Sequence, residues 1–68
     1  MDEKTYSVIG MTCDHCVRSV KAEVGMLPGV VAVDVDLSTG RVRVGSDRPL
    51  DDTAVEAAVE EAGYAIAP

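Results

Sequence analysis

Apolar residues along this chain recur at two different spacings, and the order in which those spacings alternate leaves few folds open. In "KTYSVIG", Tyr6 and Val8 lie two apart, on one face of a half-buried strand. From Cys13 to Leu27 the spacing changes. Val17, Val20, Val24 and Leu27 recur at three and four, one face of a helix of about three turns, with Arg18, Lys21 and Glu23 largely on the other side. "LPG" ends that helix, because Pro28 cannot continue it and Gly29 permits a left-handed turn. Alternation returns in "VVAVDVDL", where Val33, Val35 and Leu37 stand against Ala32, Asp34 and Asp36. "STG" makes a tight turn and "RVRVG" alternates again with Val42 and Val44 inward, so these two strands read as a hairpin. After "SDRP", Asp51 or Asp52 can cap a second helix whose apolar stripe is Val55, Ala58, Val59 and Ala62. Gly63 stops it, and "YAIA" is a short last strand.

The order is therefore βαββαβ. A faint repeat supports it: Gly10, Val20 and Val24 recur 35 positions later as Gly45, Val55 and Val59. Each strand shows one apolar and one polar face, the pattern of an antiparallel sheet covered on one side. Two βαβ halves predict an α+β, ferredoxin-like fold, a four-stranded antiparallel sheet with both helices on one face and right-handed crossovers. Residues 1–68 then form a single domain. At about 0.05–0.15 kcal/mol per residue its stability is on the order of 3–10 kcal/mol, and domains this small often lean on a disulfide, a metal or a partner.

A net charge of −6 argues against nucleic acid, whose phosphates require clustered Lys and Arg, and equally against an anionic membrane surface. "MDEKTYS" has no basic segment followed by an apolar run, so no signal peptide is read, and no stretch reaches the length of a membrane-spanning helix. The expectation is a cytoplasmic protein, where thiols are normally kept reduced.

Both cysteines and the single histidine fall within "CDHC", Cys13 to Cys16. Gly10 ends the first strand, so Cys16 sits in the first turn of the first helix. Free N–H groups and the positive end of the helix dipole favour a thiolate there. Asp14 suits the same dipole, although its charge works against a thiolate nearby. Four chemistries compete. A disulfide would close a very small loop and needs an oxidising compartment. A redox dithiol would expect a longer chain and a βαβ redox frame. A structural zinc site wants four closed ligands, and beyond Cys13, Cys16 and His15 there is no second Cys or His pair. A two-thiolate site for a soft d¹⁰ ion, Cu(I) first with Ag(I) or Hg(II) as mimics, needs nothing beyond the pair itself.

The loop "GMTCDHC", Gly10 to Cys16, resembles the G-M-x-C-x-x-C loop of heavy-metal-associated domains. The continuation "VRSVKAEVGMLPGV", the turn "DLSTGRVRV" and the ending "EEAGYAI" resemble the bacterial copper chaperones of the CopZ type within that family. The resemblance covers essentially the whole chain. It implies a soluble carrier that holds Cu(I) between Cys13 and Cys16. The ion would pass to a similar domain of a copper-exporting P-type ATPase, or to a copper-sensing repressor, through sulfur-bridged intermediates. In zinc- and cadmium-exporting relatives the residue before the first cysteine is often Asp; here it is Thr12, which favours monovalent copper. Ile9 departs from the pattern, an apolar residue where the family usually carries a polar one.

The resemblance also implies roles around the pair. Gly10 and Thr12 shape the loop, and Met11 anchors it on the core rather than serving as a third sulfur. His15 reads as facing solvent and tuning the thiolates, or ligating in a copper-dependent homodimer, with a ligand in the monomer as the alternative; an unperturbed imidazole titrates at ~6.5, so such tuning would depend on pH. Tyr64 lies beside the loop, as strand packing or as a second tuner. Met26 reads as filler near the helix end, and "DDTAVEAAVEE" as a solvated helix face, with docking to a basic partner as its alternative. No second catalytic group accompanies the thiols, so the chain reads as a carrier and not an enzyme. The rival readings are a metal-binding module of a P-type ATPase, against which Met1 and the complete ending weigh mildly, and a thiol–disulfide oxidoreductase.

Overall fold

A computed structural model of the chain describes residues 2–67; Met1 and Pro68, the ends of the expected domain, lie outside the described residues. The two apolar periods become six elements in the expected order: β1 (Asp2–Ile9), α1 (Asp14–Gly25), β2 (Val30–Asp36), β3 (Arg41–Ser46), α2 (Asp52–Glu61) and β4 (Ala65–Ile66). The strands form one antiparallel sheet in the order β2-β3-β1-β4, the ferredoxin-like arrangement. In the hairpin Val33 stands opposite Val44 and Val35 opposite Val42, branched pairs that interlock on the inner face.

Val8, Val42 and Val44 of the sheet meet Val20 and Val24 of α1 and Val55, Ala58 and Val59 of α2 in one cluster, so both helices cover the same face. The other face carries Thr5, Ser7, Asp34, Asp36, Arg41 and Arg43, all exposed. The 35-residue repeat is thus structural: Val20 with Val55, and Val24 with Val59, have no exposed surface. Its glycines differ, since Gly10 lies in an exposed loop and Gly45 is buried inside β3.

Several boundaries differ from the sequence reading, each for a local reason. α1 ends at Gly25, before Leu27; the N–H groups of Met26 and Leu27 bond three residues back, to Glu23 (3.3 Å) and Val24 (3.1 Å), and Pro28 disfavours helical geometry at Leu27. Met26 is therefore not filler: it caps the helix and is 74% exposed. In β2, Val30 pairs with Ser46 and Ala32 with Gly45, so Val31 is an extra residue bulged outward. Strand β2 stops at Asp36, leaving Leu37 half-buried in the turn. β4 keeps only Ala65 and Ile66, because Tyr64 still belongs to the end of α2, its N–H bonding Val59 (3.1 Å) while that of Gly63 bonds Glu60 (2.9 Å). At the other end of α2, Asp51 rather than Asp52 is the cap, its carboxylate accepting from the Thr53 N–H at 3.0 Å.

Val20 is completely buried and Val17 only half-buried. Val20→Ala removes two buried methyl groups and leaves a cavity, an expected loss of about 2–3 kcal/mol, whereas Val17→Ala costs under about 1 kcal/mol. Urea unfolding of the two variants measures both; equal losses would mean that α1 presents a different face to the sheet.

Candidate metal centre

The loop from Gly10 to Cys13 links the end of β1 to the start of α1. Cys13 is the N-cap residue, in extended geometry (φ −157, ψ 174), and makes no side-chain capping bond. Its carbonyl accepts from the N–H of Cys16 at 3.0 Å and of Val17 at 3.3 Å, which fixes the first turn. Both cysteines are free, and their sulfurs stand 3.6 Å apart. They differ in setting. Cys13 is exposed, but Cys16 is buried, with 9% of its surface accessible, in line with Val20 and Val24 on the core-facing side of α1. The stripe read from sequence, Val17, Val20, Val24 and Leu27, left Cys16 out, and the structure corrects this. Spacing of four from Cys16 to Val20 to Val24 keeps all three on one face of a 3.6-residue helix, and Val17 lies to its side.

The Cys16 thiol is lowered from its ordinary 9.0 to about 6. The Thr12 backbone is the largest cause, followed by the Tyr64 hydroxyl; burial opposes them, and the backbone and side chain of Cys13 add to the lowering. The Thr12 hydroxyl oxygen also lies 3.9 Å from the Cys16 sulfur. Tyr64 is raised in turn, chiefly by its bond to Cys16. The phenol ring lies over Gly10: a Cβ there would meet Tyr64 Cδ1 at 3.2 Å, and φ is +101, so the position excludes a side chain on two counts.

The other residues singled out from sequence are placed as follows. Met11 is half-buried against the core. Asp14 and His15 are exposed, and among the described residues no group of three His, Cys, Asp or Glu side chains gathers. Ile9 is 56% exposed and pairs with Ala65 of β4. The acidic side chains of α2 are solvated; Asp52 is engaged, by Lys4 at 3.0 Å and the Tyr6 hydroxyl at 2.8 Å. Sequence reading gave Thr12 a part in the loop's shape and missed its lowering of the Cys16 thiol, although a backbone N–H just ahead of a helix start is a donor with no helical partner.

Two thiols with no carboxylate or imidazole gathered with them among the described residues suit a soft ion of low coordination number; a closed zinc site needs two more ligands. For a metal–sulfur bond of about 2.3 Å, sulfurs 3.6 Å apart subtend about 100° at the ion, and linear coordination would need about 4.6 Å. The exposed side chain of Cys13 is the one free to supply that difference.

A family model described as "Heavy-metal-associated domain" matches residues 5–65. The "Copper chaperone CopZ" of Bacillus subtilis (strain 168) is 44% identical over 70 residues, spanning 98% of this chain and 99% of that protein. "Copper-transporting ATPase 2" of Rhizobium meliloti (strain 1021) is 43% identical over 60 residues, 88% of this chain and 7% of the ATPase. A solved structure described as "CopZ metallochaperone" superposes with a TM-score of 0.90 at 30% identity, covering 97% of this chain and 100% of the other.

Because the Cys16 pKa is depressed on folding, its thiolate contributes stability that is fully present above the unfolded value and is lost as pH falls through about 6. Thiolate ultraviolet absorbance of the metal-free protein should show a transition near that pH, and Tyr64→Phe should move it upward. A transition unmoved in Tyr64→Phe would remove the phenol from the site's electrostatics.

Proposed function

The chain belongs to the heavy-metal-associated domain family, and on that premise we propose that it is a cytoplasmic Cu(I) carrier in which Cys13 and Cys16 are the two ligands. The observation that carries this reading is the sulfur pair itself, 3.6 Å apart with one thiol exposed and the other already inclined to the thiolate. Similarity along the full length of a copper chaperone supports copper as the cargo. Met11 holds the loop to the core, Gly10 and Thr12 shape it, and Tyr64 and His15 adjust the thiolates. The recipient is the metal-binding domain of a copper-transporting P-type ATPase, a reading supported by similarity to a short part of one.

Transfer follows from the difference between the sulfurs. A thiolate of the recipient bonds to the ion as Cys13 lets go, Cys16 holds on, and a second recipient thiolate then displaces Cys16. Copper stays Cu(I) throughout, and each step exchanges one thiolate for another, so no oxidant or reductant takes part. The same similarity favours a second reading, a metal-binding module of such an ATPase. Transfer kinetics separate the two, since a free carrier must deliver copper to a separate recipient domain in solution.

Either Cys13→Ser or Cys16→Ser should lower Cu(I) affinity by orders of magnitude in a competition assay against a strong Cu(I) chelator, with the fold retained. Dithiol–disulfide turnover in the same preparation, with weak Cu(I) competition by the parent, would favour an oxidoreductase instead. Zn(II) should be displaced by equimolar Cu(I), because no third and fourth ligand gathers with the pair among the described residues.

Copper should also raise the melting temperature. Binding to the native state alone is worth about 4 kcal/mol at a thousandfold excess over Kd, and the gain falls short of that because an unfolded C-x-x-C still binds. Protons compete with the metal for thiolates, so the copper-induced rise should shrink as pH falls through about 6, where Cys16 takes up its proton. A rise that stays flat between about pH 8 and about pH 5 would mean that these sulfurs are not the ligands.

A further inference from the structure

We propose that Gly40 is a positioning residue for the metal loop: the β2–β3 turn holds the end of β1 at a distance only a residue without a side chain permits, and so sets where Cys13 stands relative to Cys16. The inference rests on the reading of Cys13 and Cys16 as the copper ligands.

The regular β1–β3 ladder ends at Ser7 opposite Arg41. One step beyond it the Val8 N–H donates to the Gly40 carbonyl at 2.8 Å, so the turn grips the last core residue of β1. The turn itself is well tied. The Gly40 N–H donates to the Asp36 carbonyl at 2.8 Å, and the Asp36 carboxylate accepts from the Ser38 N–H (3.0 Å) and hydroxyl (2.6 Å). The Thr39 hydroxyl accepts from the Arg41 N–H at 3.3 Å. Against this fixed turn the approach of β1 is very close: a Cβ on Gly40 would lie 2.9 Å from the Val8 carbonyl oxygen, at a φ of +74. The obstacle is backbone, which cannot swing aside, so one strand end must move.

Movement at Val8 has a directed consequence. Ile9 and Gly10 carry it into the loop that ends at Cys13. Cys16 stays where Val20 and Val24 hold α1 against the sheet. A shift of the loop therefore reaches the 3.6 Å between the sulfurs from the Cys13 side. Gly40 touches neither sulfur; it acts through β1.

Gly29 supplies the control. Its φ is also positive, +86, but the nearest atoms a Cβ there would meet, from 2.7 Å, belong to the exposed side chain of Arg48 and not to the backbone of β1. Both Gly40→Ala and Gly29→Ala should melt below the parent, because both force a side chain into left-handed geometry. At a temperature where all three are folded, Cu(I) competition should show Gly40→Ala weaker than the parent by about 10–100-fold, the usual range for residues that orient ligands, and Gly29→Ala unchanged. Linkage is reciprocal, so Cu(I) loading of the parent should also shift the Gly40 amide resonance and leave that of Gly29 in place. Failure of the parent to bind Cu(I) overturns the copper reading. Binding by the parent, with Gly40→Ala equal to it or no weaker than Gly29→Ala, overturns the positioning role alone. If Gly40→Ala does not fold, the parent's resonances decide: a Gly40 amide unmoved by copper overturns the proposal.

Discussion

Cys16 belongs to two structures at once, and most of the site's properties follow from that. As a member of the stripe with Val20 and Val24 it is held by the packing of α1 on the sheet. As a sulfur 3.6 Å from Cys13 it is half of the candidate metal pair. Burial alone would push such a thiol upward; the backbone of Thr12 and the hydroxyl of Tyr64 outweigh it. Both donors are themselves positioned by the fold: Thr12 by the loop that must join β1 to α1, and Tyr64 by the turn that ends α2. A position that is apolar by geometry thus becomes electrostatically suited to a thiolate.

The core that fixes Cys16 is built from short branched side chains. Val20, Val24, Val42, Val44, Val55 and Val59 have no exposed surface, and the chain contains neither Phe nor Trp. Branching at Cβ leaves each valine few rotamers, so little side-chain freedom remains to be lost on packing, and the helices have few alternative seats. Rigidity matters more here than the total stability, which stays modest in a domain of this size. Half-buried Met11 and Tyr64 close the core at the end where the loop crosses it.

Much of this was legible in the sequence, for reasons that also explain what was not. Val33, Val35, Val42 and Val44 alternate so regularly that the hairpin, and with it the βαββαβ order, follows from period alone. The 35-residue repeat places α2 on the same footing as α1. Boundaries depended on hydrogen bonds that no period carries: Met26 read as filler near the helix end, yet the helix stops just before it and Met26 is its exposed cap. Val31 looked like one more apolar strand residue, and only the register against Ser46 and Gly45 shows it bulged outward. Cys16 was left out of the helix stripe for a subtler reason. Val17 satisfies a spacing of three to Val20 and Cys16 a spacing of four; a β-branched residue invited the choice of Val17, and packing settled on the sulfur. The nearness of Thr12 and Tyr64 to Cys16, and the seat of Met11 on the core, were readable from the loop and ending that resemble heavy-metal-associated domains. The contact of Gly40 with Val8 was not, because nothing in "STG" says which strand the turn will touch.

A carrier has to bind an ion tightly and still release it quickly, and on the proposed reading the unequal burial of the sulfurs reconciles the two. Affinity is a property of both thiolates together, whereas exchange needs only one of them to be reachable. With Cys16 seated against the core and Cys13 on the exposed cap, an incoming thiolate meets an ion open on one side, and the associative step requires no local unfolding. Were both sulfurs exposed, the pair would have less to hold its geometry; were both buried, each transfer would wait on an opening of α1. The absence of a third donor among the described residues has the same effect, since a ligand set left incomplete is one that a recipient can enter. Selectivity and speed then come from one arrangement: few ligands, both soft, and only one of them free to move.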